Sequence, residues 1–163
     1  MDNHAAPADW FALVDTARDP SLHGLVTQCK DQHCLIGGDI APVLAPTLPY
    51  IVRLNNDEPL AVAWRGKGAG QSWGILLQSA QSLDQLRLHF KKFINAKLPD
   101  GTVALFRFYD PRVFRTYIRA ALPEERMPWF KGVARYSVES AQAGHYHDFR
   151  INGGQLFDGS HPA

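Results

Sequence analysis

The sequence lacks the features that mark secreted, membrane-spanning and disulfide-bonded proteins. Its two cysteines, Cys29 and Cys34, are separated by four residues and make a poor disulfide framework. The longest apolar runs are the length of strands and are interrupted by charge, so none provides a membrane helix. Residues 1–10, MDNHAAPADW, lack the basic-then-apolar order of a signal peptide. These absences predict reduced thiols, no contact with a membrane and a cytoplasmic location.

What is present suits one compact domain with a sizeable core, because 45 % of the 163 residues are apolar and 11 % are aromatic. The net charge is +1, but it is unevenly placed. Residues 1–60 hold three Arg/Lys against eight Asp/Glu, and residues 61–163 hold fourteen against eight. A basic second part can attract nucleic acid, anionic lipid or an acidic protein surface, although pairing of the two parts within one domain explains the distribution equally well.

Hydrophobic periodicity predicts strands that alternate with helices. The strands are expected over residues 10–17, 50–54, 72–79, 103–109, 135–139 and 145–151, and the helices over 22–32, 58–65, 82–97, 111–122 and 123–130. Ser82 and Gln85 form a capping box, while Asp110 and Pro111 suit the N-cap and first position of the next helix. This order predicts an α/β fold, a single domain with a mixed, mostly parallel central sheet flanked by helices. We expect a flexible segment over 1–9, a core domain over 10–150 and a loose tail over 151–163.

Arg107 is the unusual residue of the predicted strand 103–109. Val103, Leu105, Arg107 and Tyr109 share one face of this strand, and both of its faces look covered, which is typical of an interior strand. A buried guanidinium is costly unless acids and other acceptors satisfy it. The pattern therefore predicts that Arg107 is buried and paired with Asp15 or Asp110. The aromatic residues are expected to form one core, comprising Trp73, Phe90, Phe93, Phe106, Phe108 and Phe114.

Several motifs, in a fixed order and spacing, carry a family resemblance. They are FALVDTA at 11–17, PYIVRL at 49–54, Trp73-Gly74 opening a strand, the segment Ser82 to Phe90 with Leu86, Arg87 and His89, LPDG at 98–101, and FRFYDPRV at 106–113. Together they resemble the adaptor family of bacterial type VI secretion, over roughly Trp10 to Val133. The positions that carry the structural part of the motif are Asp15, Trp73, Gly74, Arg107, Tyr109, Asp110 and Pro111.

The resemblance implies a non-enzymatic chaperone that holds a toxic effector and helps to load it onto the spike protein. It implies an α/β core lobe and no cofactor, and its partners would be the effector and the spike, with neither nucleic acid nor membrane. Longer members carry a variable carboxyl-terminal lobe, which we expect to be absent here, and that lobe is where much of the effector specificity is expected.

Two features are candidates for partner binding. Arg112, Arg115 and Arg119 recur at helical spacing on one face of the 111–122 helix, and arginine is favoured at interfaces because its planar fork binds carboxylates. A solvated amphipathic helix explains the same pattern equally well. Trp129 could be an exposed hydrophobic anchor, although a Trp-Phe pair more often closes a core.

Two alternative functions compete with the adaptor interpretation. The first is a nucleic-acid-binding accessory domain, which would use the arginine face together with Arg87, Lys91 and Lys92; the sequence shows no recognised binding module for it. The second is a small metal-dependent enzyme, which would use Cys34 and the histidines near the carboxyl terminus, His145 and His147. The spacing matches no closed zinc site, and we expect neither a metal nor a catalytic residue.

Overall fold

The chain is described here by a computed structural model that covers residues 7–163, so most of the predicted flexible segment 1–9 lies outside the described residues. Asp9 already belongs to the first strand. The strands are β1 Asp9–Asp15, β2 Gln32–Cys34, β3 Pro49–Arg53, β4 Gly74–Ser79, β5 Asn95–Lys97, β6 Val103–Leu105, β7 Arg135–Glu139, β8 His145–Asn152 and β9 Gln155–Pro162. The α-helices are α1 Leu22–Thr27, α2 Pro59–Ala63, α3 Leu83–Lys91, α4 Pro111–Ala120 and α5 Pro123–Arg126. A π-helical turn, Trp64–Gly68, extends α2, and a 3₁₀ turn, Met127–Phe130, extends α5.

The main sheet is antiparallel, which corrects the predicted fold class. Seven strands lie in the order β2-β3-β1-β4-β7-β8-β9, and every neighbouring pair runs antiparallel. The prediction of a mixed, mostly parallel sheet flanked by helices is therefore wrong. The helices are few and short, and the two strands β5 and β6 form a separate ribbon.

A local turn is the physical reason for this difference. The prediction treated the segment from 79 to 102 as a crossover that returns the chain to the central sheet. Instead, the turn at 98–101 folds β6 back onto β5, with Lys97 opposite Val103 and Asn95 opposite Leu105. Short-range pairing of this kind costs less loop-closure entropy than a long crossover. The place beside β4 is taken by β7, which starts much later in the chain.

The two faces of the sheet bury two separate clusters of side chains. Residues of β1 alternate between them, with Phe11 and Leu13 on one face and Ala12 and Val14 on the other. The larger cluster lies under α3 and α4 and contains the buried Phe90, Phe108 and Phe114, with Phe93 and Phe106 partly buried against it. The second cluster lies under α1 and α2 and contains Trp73. The prediction of one aromatic core is therefore right for five of the six rings and wrong for Trp73.

The end of the chain is more regular than its composition predicts. The Gly- and Pro-rich tail over 151–163 was expected to be loose, whereas β9 pairs with β8 along eight residues, from Asn152 opposite Gln155 to His145 opposite Pro162. Gly153 and Gly154 adopt positive φ in the turn between these strands, which only glycine does easily. Composition alone misses this strand because its side chains are mostly exposed.

The predicted helix starts are confirmed. Ser82 and Gln85 form a reciprocal capping box at α3, and the Asp110 side chain accepts a hydrogen bond from the Arg112 N–H at the start of α4, where Pro111 is the first helical residue. The helices end earlier than predicted, at Lys91 and Ala120. Within residues 7–163, no helix has the length and apolar character needed to cross a membrane.

Candidate interaction site

The motif residues converge at one end of the main sheet. Asp15 ends β1, and its backbone N–H donates to the carbonyl oxygen of Trp73 at 2.8 Å, just before Gly74 begins β4. Arg107 donates to Asp15, and Asp110 begins α4 nearby. The segments that carry the sequence motif are far apart in the chain, and the fold brings them together. We call this cluster of motif residues the motif end.

Arg107 caps a buried carboxylate rather than being buried itself. Its Nη2 donates to Asp15 Oδ2 at 2.6 Å, and the side chain of Asp15 is 1 % exposed whereas that of Arg107 is 50 % exposed. The hydrogen bond to Asp15 raises the pKa of Arg107 further above its ordinary value. The predicted pairing with Asp15 is therefore confirmed and the predicted burial of Arg107 is wrong. The strand ends at Leu105, so the alternation that placed Arg107 inward stops two residues before it.

Gly74 is required at the motif end by a close approach of two backbones. A Cβ at this position would fall well under 3.0 Å from the carbonyl oxygen of Leu13 in the neighbouring strand β1, a separation that real Cβ atoms essentially never show. Gly74 faces Val14 in the strand pairing. The glycine of the Trp-Gly motif therefore has a packing role, and Trp73 beside it is buried against Trp64 in the second cluster.

Asp110 and Tyr109 complete the motif end. Burial alone would raise the pKa of Asp110, but hydrogen bonds from the side chain and backbone of Arg112 outweigh it, and the pKa lies below its usual value. The guanidinium of Arg112 binds Asp110 through two hydrogen bonds, at 2.7 and 3.0 Å. Tyr109 is 2 % exposed, and burial raises the pKa of its hydroxyl. These contacts stabilise the start of α4, which is an architectural role.

A further buried acid, Glu139, lies at the end of β7 and was not singled out by the sequence. Its Oε2 accepts a hydrogen bond from the Ser72 N–H at 3.1 Å, and Ser72 has a φ of 54°, which is unusual for a residue other than glycine. Burial raises the pKa of Glu139 above its ordinary value. Its Oε1 is buried without a hydrogen-bond partner among the described residues. The sequence offered no signal for this residue, because a Glu at a strand end is ordinarily solvated.

The three arginines of α4 contact their own protein. Arg112 binds Asp110, Arg115 donates to the carbonyl oxygen of Glu139, and Arg119 Nε donates to Asp158 Oδ2 at 2.7 Å. The guanidinium of Arg119 also lies over the Phe149 ring, 5.4 Å from its centroid. The predicted face exists, but it packs the helix against β7, β8 and β9. Only the outer part of these side chains, 56 % of Arg112 and 41 % of Arg119, is left exposed.

Trp129 lies in the core and is not an exposed anchor. It is 2 % exposed and stacks on Phe93 with ring centroids 4.0 Å apart. Its carbonyl oxygen accepts a hydrogen bond from the hydroxyl of the buried Tyr136. Of the two interpretations of the Trp-Phe pair, the core-closing one is correct, since a side chain that is 2 % exposed is not an exposed anchor.

Exposed apolar side chains lie elsewhere, and three of them are on the two-stranded ribbon. Val103 is 65 % exposed, Leu105 49 % and Leu98 43 %. Lys97 lies opposite Val103 and therefore shares its face of the ribbon. We call residues 95–105 the apolar ribbon. The sequence did contain its alternation, but the alternation was assigned to an interior strand, in which these side chains would be buried.

The apolar ribbon is held in a defined shape. In its turn, the Asp100 carboxylate accepts hydrogen bonds from the N–H and hydroxyl of Thr102, at 2.9 and 2.6 Å, and these bonds lower the pKa of Asp100. At its base, the Phe106 N–H donates to the Ile94 carbonyl at 2.7 Å. A groove of about 300 Å³ opens beside this base, lined by Lys92, Phe93, Asn95, Ala96, Phe106, Tyr117 and Trp129.

The residues of the alternative metal site lie far apart in the structure. Cys34 lies in β2 and His145 and His147 lie in β8, with four strands between them, a distance of about 24 Å at the usual spacing of strands. Cys34 and these histidines therefore cannot share one ion. Among the described residues, no group of three or more His, Cys, Asp or Glu side chains is placed to hold a metal.

These features define a small antiparallel domain with a buried polar motif end and an exposed apolar ribbon. Residues 10–127 match the model of a family described as a domain of unknown function, DUF4123, and since the match covers most of the chain, the protein belongs to this family. The match includes the motif end residues up to Pro111, α3, α4 and the apolar ribbon, and it ends before β7. Neither a curated protein nor a solved structure matches the chain.

Proposed function

We propose that this protein is a cytoplasmic adaptor that binds a toxic effector of bacterial type VI secretion and helps to load it onto the spike protein. The motif residues support this role through their resemblance to the effector chaperones. The observation that carries the proposal is the apolar ribbon, because ordered apolar side chains left in water mark surfaces that meet another protein. The role consists of binding and release, and it requires no cofactor.

The ribbon favours an extended segment of the effector with acidic residues beside apolar ones. Among the described strands, β5 and β6 pair only with each other, so each leaves an edge that an added strand can pair with. Val103 and Leu105 offer apolar contacts, and Lys97 on the same face offers a cation. Covering the exposed halves of these two apolar side chains contributes roughly 2 kcal/mol, or about thirtyfold in affinity.

The test is a calorimetric titration against the effector encoded next to this protein's gene. In the double variant Val103→Asp and Leu105→Asp, we expect the affinity to fall at least about fiftyfold, because the apolar contacts are lost and the two new carboxylates repel the acidic residues of the segment. Val62→Asp is the matched control, since Val62 is 53 % exposed on α2, which packs on the opposite face of the sheet. Equal affinity of the ribbon variant and the wild-type protein would contradict the proposal.

The arginine face is harder to test than the apolar ribbon, because its side chains also bind within the protein. Charge reversal at Arg115 and Arg119 would break contacts to Glu139 and Asp158, so a loss of binding would not separate docking from folding. Arg112→Gln removes a half-exposed charge but also takes two hydrogen bonds from the buried Asp110, so its thermal melt must first match that of the wild-type protein. If binding runs through this face, Arg112→Gln will weaken it in a salt-dependent way, and the ribbon variant will not.

Binding to nucleic acid is the competing function, and the same proteins test it. Affinity for random oligonucleotides that falls steeply with salt would favour it, and Lys91→Gln with Lys92→Gln would then reduce that affinity. Binding of the effector that is unchanged by these two substitutions supports the adaptor role.

A further inference from the structure

Three side chains near the end of the chain form a continuous chain of hydrogen bonds. Ser140 Oγ lies 3.1 Å from His147 Nε2, and His147 Nδ1 lies 2.8 Å from Asp158 Oδ1. Ser140 follows β7, His147 lies in β8 and Asp158 lies in β9. We propose that Ser140, His147 and Asp158 form a hydrolytic triad that accepts small, activated acyl esters, an activity separate from effector binding.

The hydrogen-bond pattern fixes the roles of the two imidazole nitrogens. A carboxylate only accepts, so Nδ1 must carry the proton that is donated to Asp158, and Nε2 of the neutral ring is left to accept from the Ser140 hydroxyl. The Ser140 oxygen also accepts a hydrogen bond from the Gln142 N–H at 3.1 Å, so its own proton is free to point at His147. This is the arrangement in which imidazole acts as a general base for a serine nucleophile.

The surroundings hold the triad in place. The second oxygen of Asp158 accepts a hydrogen bond from Arg119 Nε at 2.7 Å, so both carboxylate oxygens are engaged and the carboxylate is oriented. The His147 ring stacks on Phe149, with centroids 6.1 Å apart and planes at 29°. Asp158 and His147 lie on adjacent strands of one hairpin, and Arg119 reaches them from α4. Arg119 is therefore a positioning residue, and the arginine face acquires a role that its spacing did not suggest.

The reaction balances with water as the only co-substrate. Ser140 Oγ bonds to the acyl carbon while its proton passes to His147 Nε2, and the ester C–O bond breaks as that proton moves to the leaving alcohol. Water then attacks the acyl-serine, giving up a proton to His147, and the carboxylic acid leaves as the Ser140 hydroxyl is restored. We assign the oxyanion to backbone N–H groups of the exposed turn 141–144 other than that of Gln142, which already donates to Ser140.

Accessibility determines the class of substrate. His147 is only 19 % exposed, Asp158 is 29 % exposed, and Ser140 is half-buried at the start of an exposed turn. An acyl group therefore approaches Ser140 from solvent, since the groove of about 520 Å³ that includes Asp158 is lined by neither Ser140 nor His147. This favours a short acyl group and a good leaving group, and we take p-nitrophenyl acetate as the substrate and a fluorophosphonate as the covalent probe.

The experiment compares the full chain with four variants. We expect the wild-type protein to hydrolyse p-nitrophenyl acetate and to be labelled by the fluorophosphonate at Ser140, as located by peptide mass spectrometry. Ser140→Ala and His147→Gln should each reduce hydrolysis at least about a hundredfold, and Asp158→Asn should reduce it while leaving some labelling. Arg119→Gln should lower the rate less and shift the pH profile, and a purely structural role for Arg119 would leave that profile unchanged.

The matched control is His161→Gln. His161 Nε2 lies 3.0 Å from Asp148 Oδ1 on the same hairpin, so this variant removes a similar His–Asp pair outside the triad and should keep full activity. Circular dichroism and thermal melts must show that each variant is folded. Hydrolysis by Ser140→Ala at the wild-type rate, or labelling at a residue other than Ser140, would overturn the proposal. Activity lost only in His147→Gln would also overturn it, since the imidazole would then be acting without the serine.

Discussion

The motif end buries a charged group, whereas the apolar ribbon leaves apolar groups exposed to water. At the motif end, the carboxylate of Asp15 is carried inside, 1 % exposed, and covered by Arg107. On the ribbon, Val103 is left 65 % exposed although the strand is well ordered by its turn. Buried charges that are fully paired define how elements fit together, whereas ordered apolar groups in water favour contact with a partner. The motif therefore identifies the family through its architecture, and the ribbon is the surface that we propose for binding a partner.

Substitutions in these two regions are therefore expected to change different properties of the protein. A change at the motif end breaks a contact within the folded protein, so stability measures it. A change on the ribbon removes little within the protein, so only binding measures it.

The largest effect is expected for Gly74→Ala. A Cβ here would overlap the carbonyl oxygen of Leu13, so β1 and β4 must separate in the middle of the main sheet. We expect a loss of more than about 3 kcal/mol in the free energy of unfolding, as for other severe overpacking. Chemical denaturation followed by circular dichroism measures it.

Gly24→Ala is the control for that substitution. Gly24 lies inside α1 with open space where its Cβ would be, and alanine is the better helix former, so this variant should gain about 0.5–1 kcal/mol. A Gly74→Ala protein as stable as the wild type would show that the two strands have room to move apart, and that the glycine of the motif has another purpose.

The next effect is expected for Arg107→Ala. It leaves the buried Asp15 carboxylate without its cation, and we expect a loss of about 2–3 kcal/mol, less than the ~3–5 of a fully buried pair because half of the arginine faces water. Urea denaturation gives the value. Arg150→Ala is the reference, since Arg150 is exposed on β8 and should cost less than about 0.5 kcal/mol. Equal values for the two variants would mean that Asp15 is satisfied without Arg107.

The sequence predicts well those features that short-range chemistry determines. The capping box at Ser82 and the Asp110-Pro111 helix start are set by residues within four positions of one another, and both are found in the structure. The bounds of β7 are also predicted correctly, from its alternation. The pairing of β6 with β5 is not predicted, because the same alternation is compatible with any neighbouring strand, and the turn at 98–101 decides between them.

The candidate site shows the same division. The Asp15–Arg107 pair follows from the cost of an unpaired guanidinium, which is a general rule, so its partner could be narrowed to two acids. The prediction that Arg107 points inward required the strand to continue to Tyr109, but the strand ends at Leu105. The Ser140–His147–Asp158 chain depends on the pairing of β8 with β9, and no spacing in the sequence indicates it because the tail was expected to be loose.

A smaller effect, dependent on pH, is expected for Glu139→Gln. Burial raises the pKa of Glu139 above its ordinary value of 4.5. Between pH 4.5 and the pKa of the folded state, the folded protein therefore keeps a proton on Glu139 that the unfolded chain has released. The resulting stabilisation is fully present below about pH 4.5 and is lost as the pH rises through the folded pKa. The glutamine variant keeps the neutral form at every pH. Its stability relative to wild type should therefore rise as the pH increases above 4.5, as measured by denaturation at a series of pH values.

Groups whose pKa is lowered in the folded protein do not affect the comparison of Glu139→Gln with wild type. The lowered pKa values of Asp110 and Asp148 cause stability to be lost as the pH falls through those values, and they do so equally in both proteins. Glu124→Gln, at an exposed position, is the control for the loss of one acidic side chain. A flat profile for Glu139→Gln would mean that water reaches Glu139.

The smallest effect on stability is expected for Val103→Asp, and the same substitution at Val138 shows why. Val138 is fully buried in β7, so an aspartate there would be a buried, unpaired charge, and we expect that protein not to fold. At Val103, two-thirds of the side chain is already in water, and the new carboxylate would lie opposite Lys97. The cross-strand ion pair offsets the poor strand preference of aspartate, so the free energy of unfolding should change by less than about 0.5 kcal/mol. Thermal and urea denaturation of the two variants measure this contrast. A loss of more than about 2 kcal/mol in Val103→Asp would show that the ribbon packs against its own protein, and its exposed side chains would no longer support a binding surface.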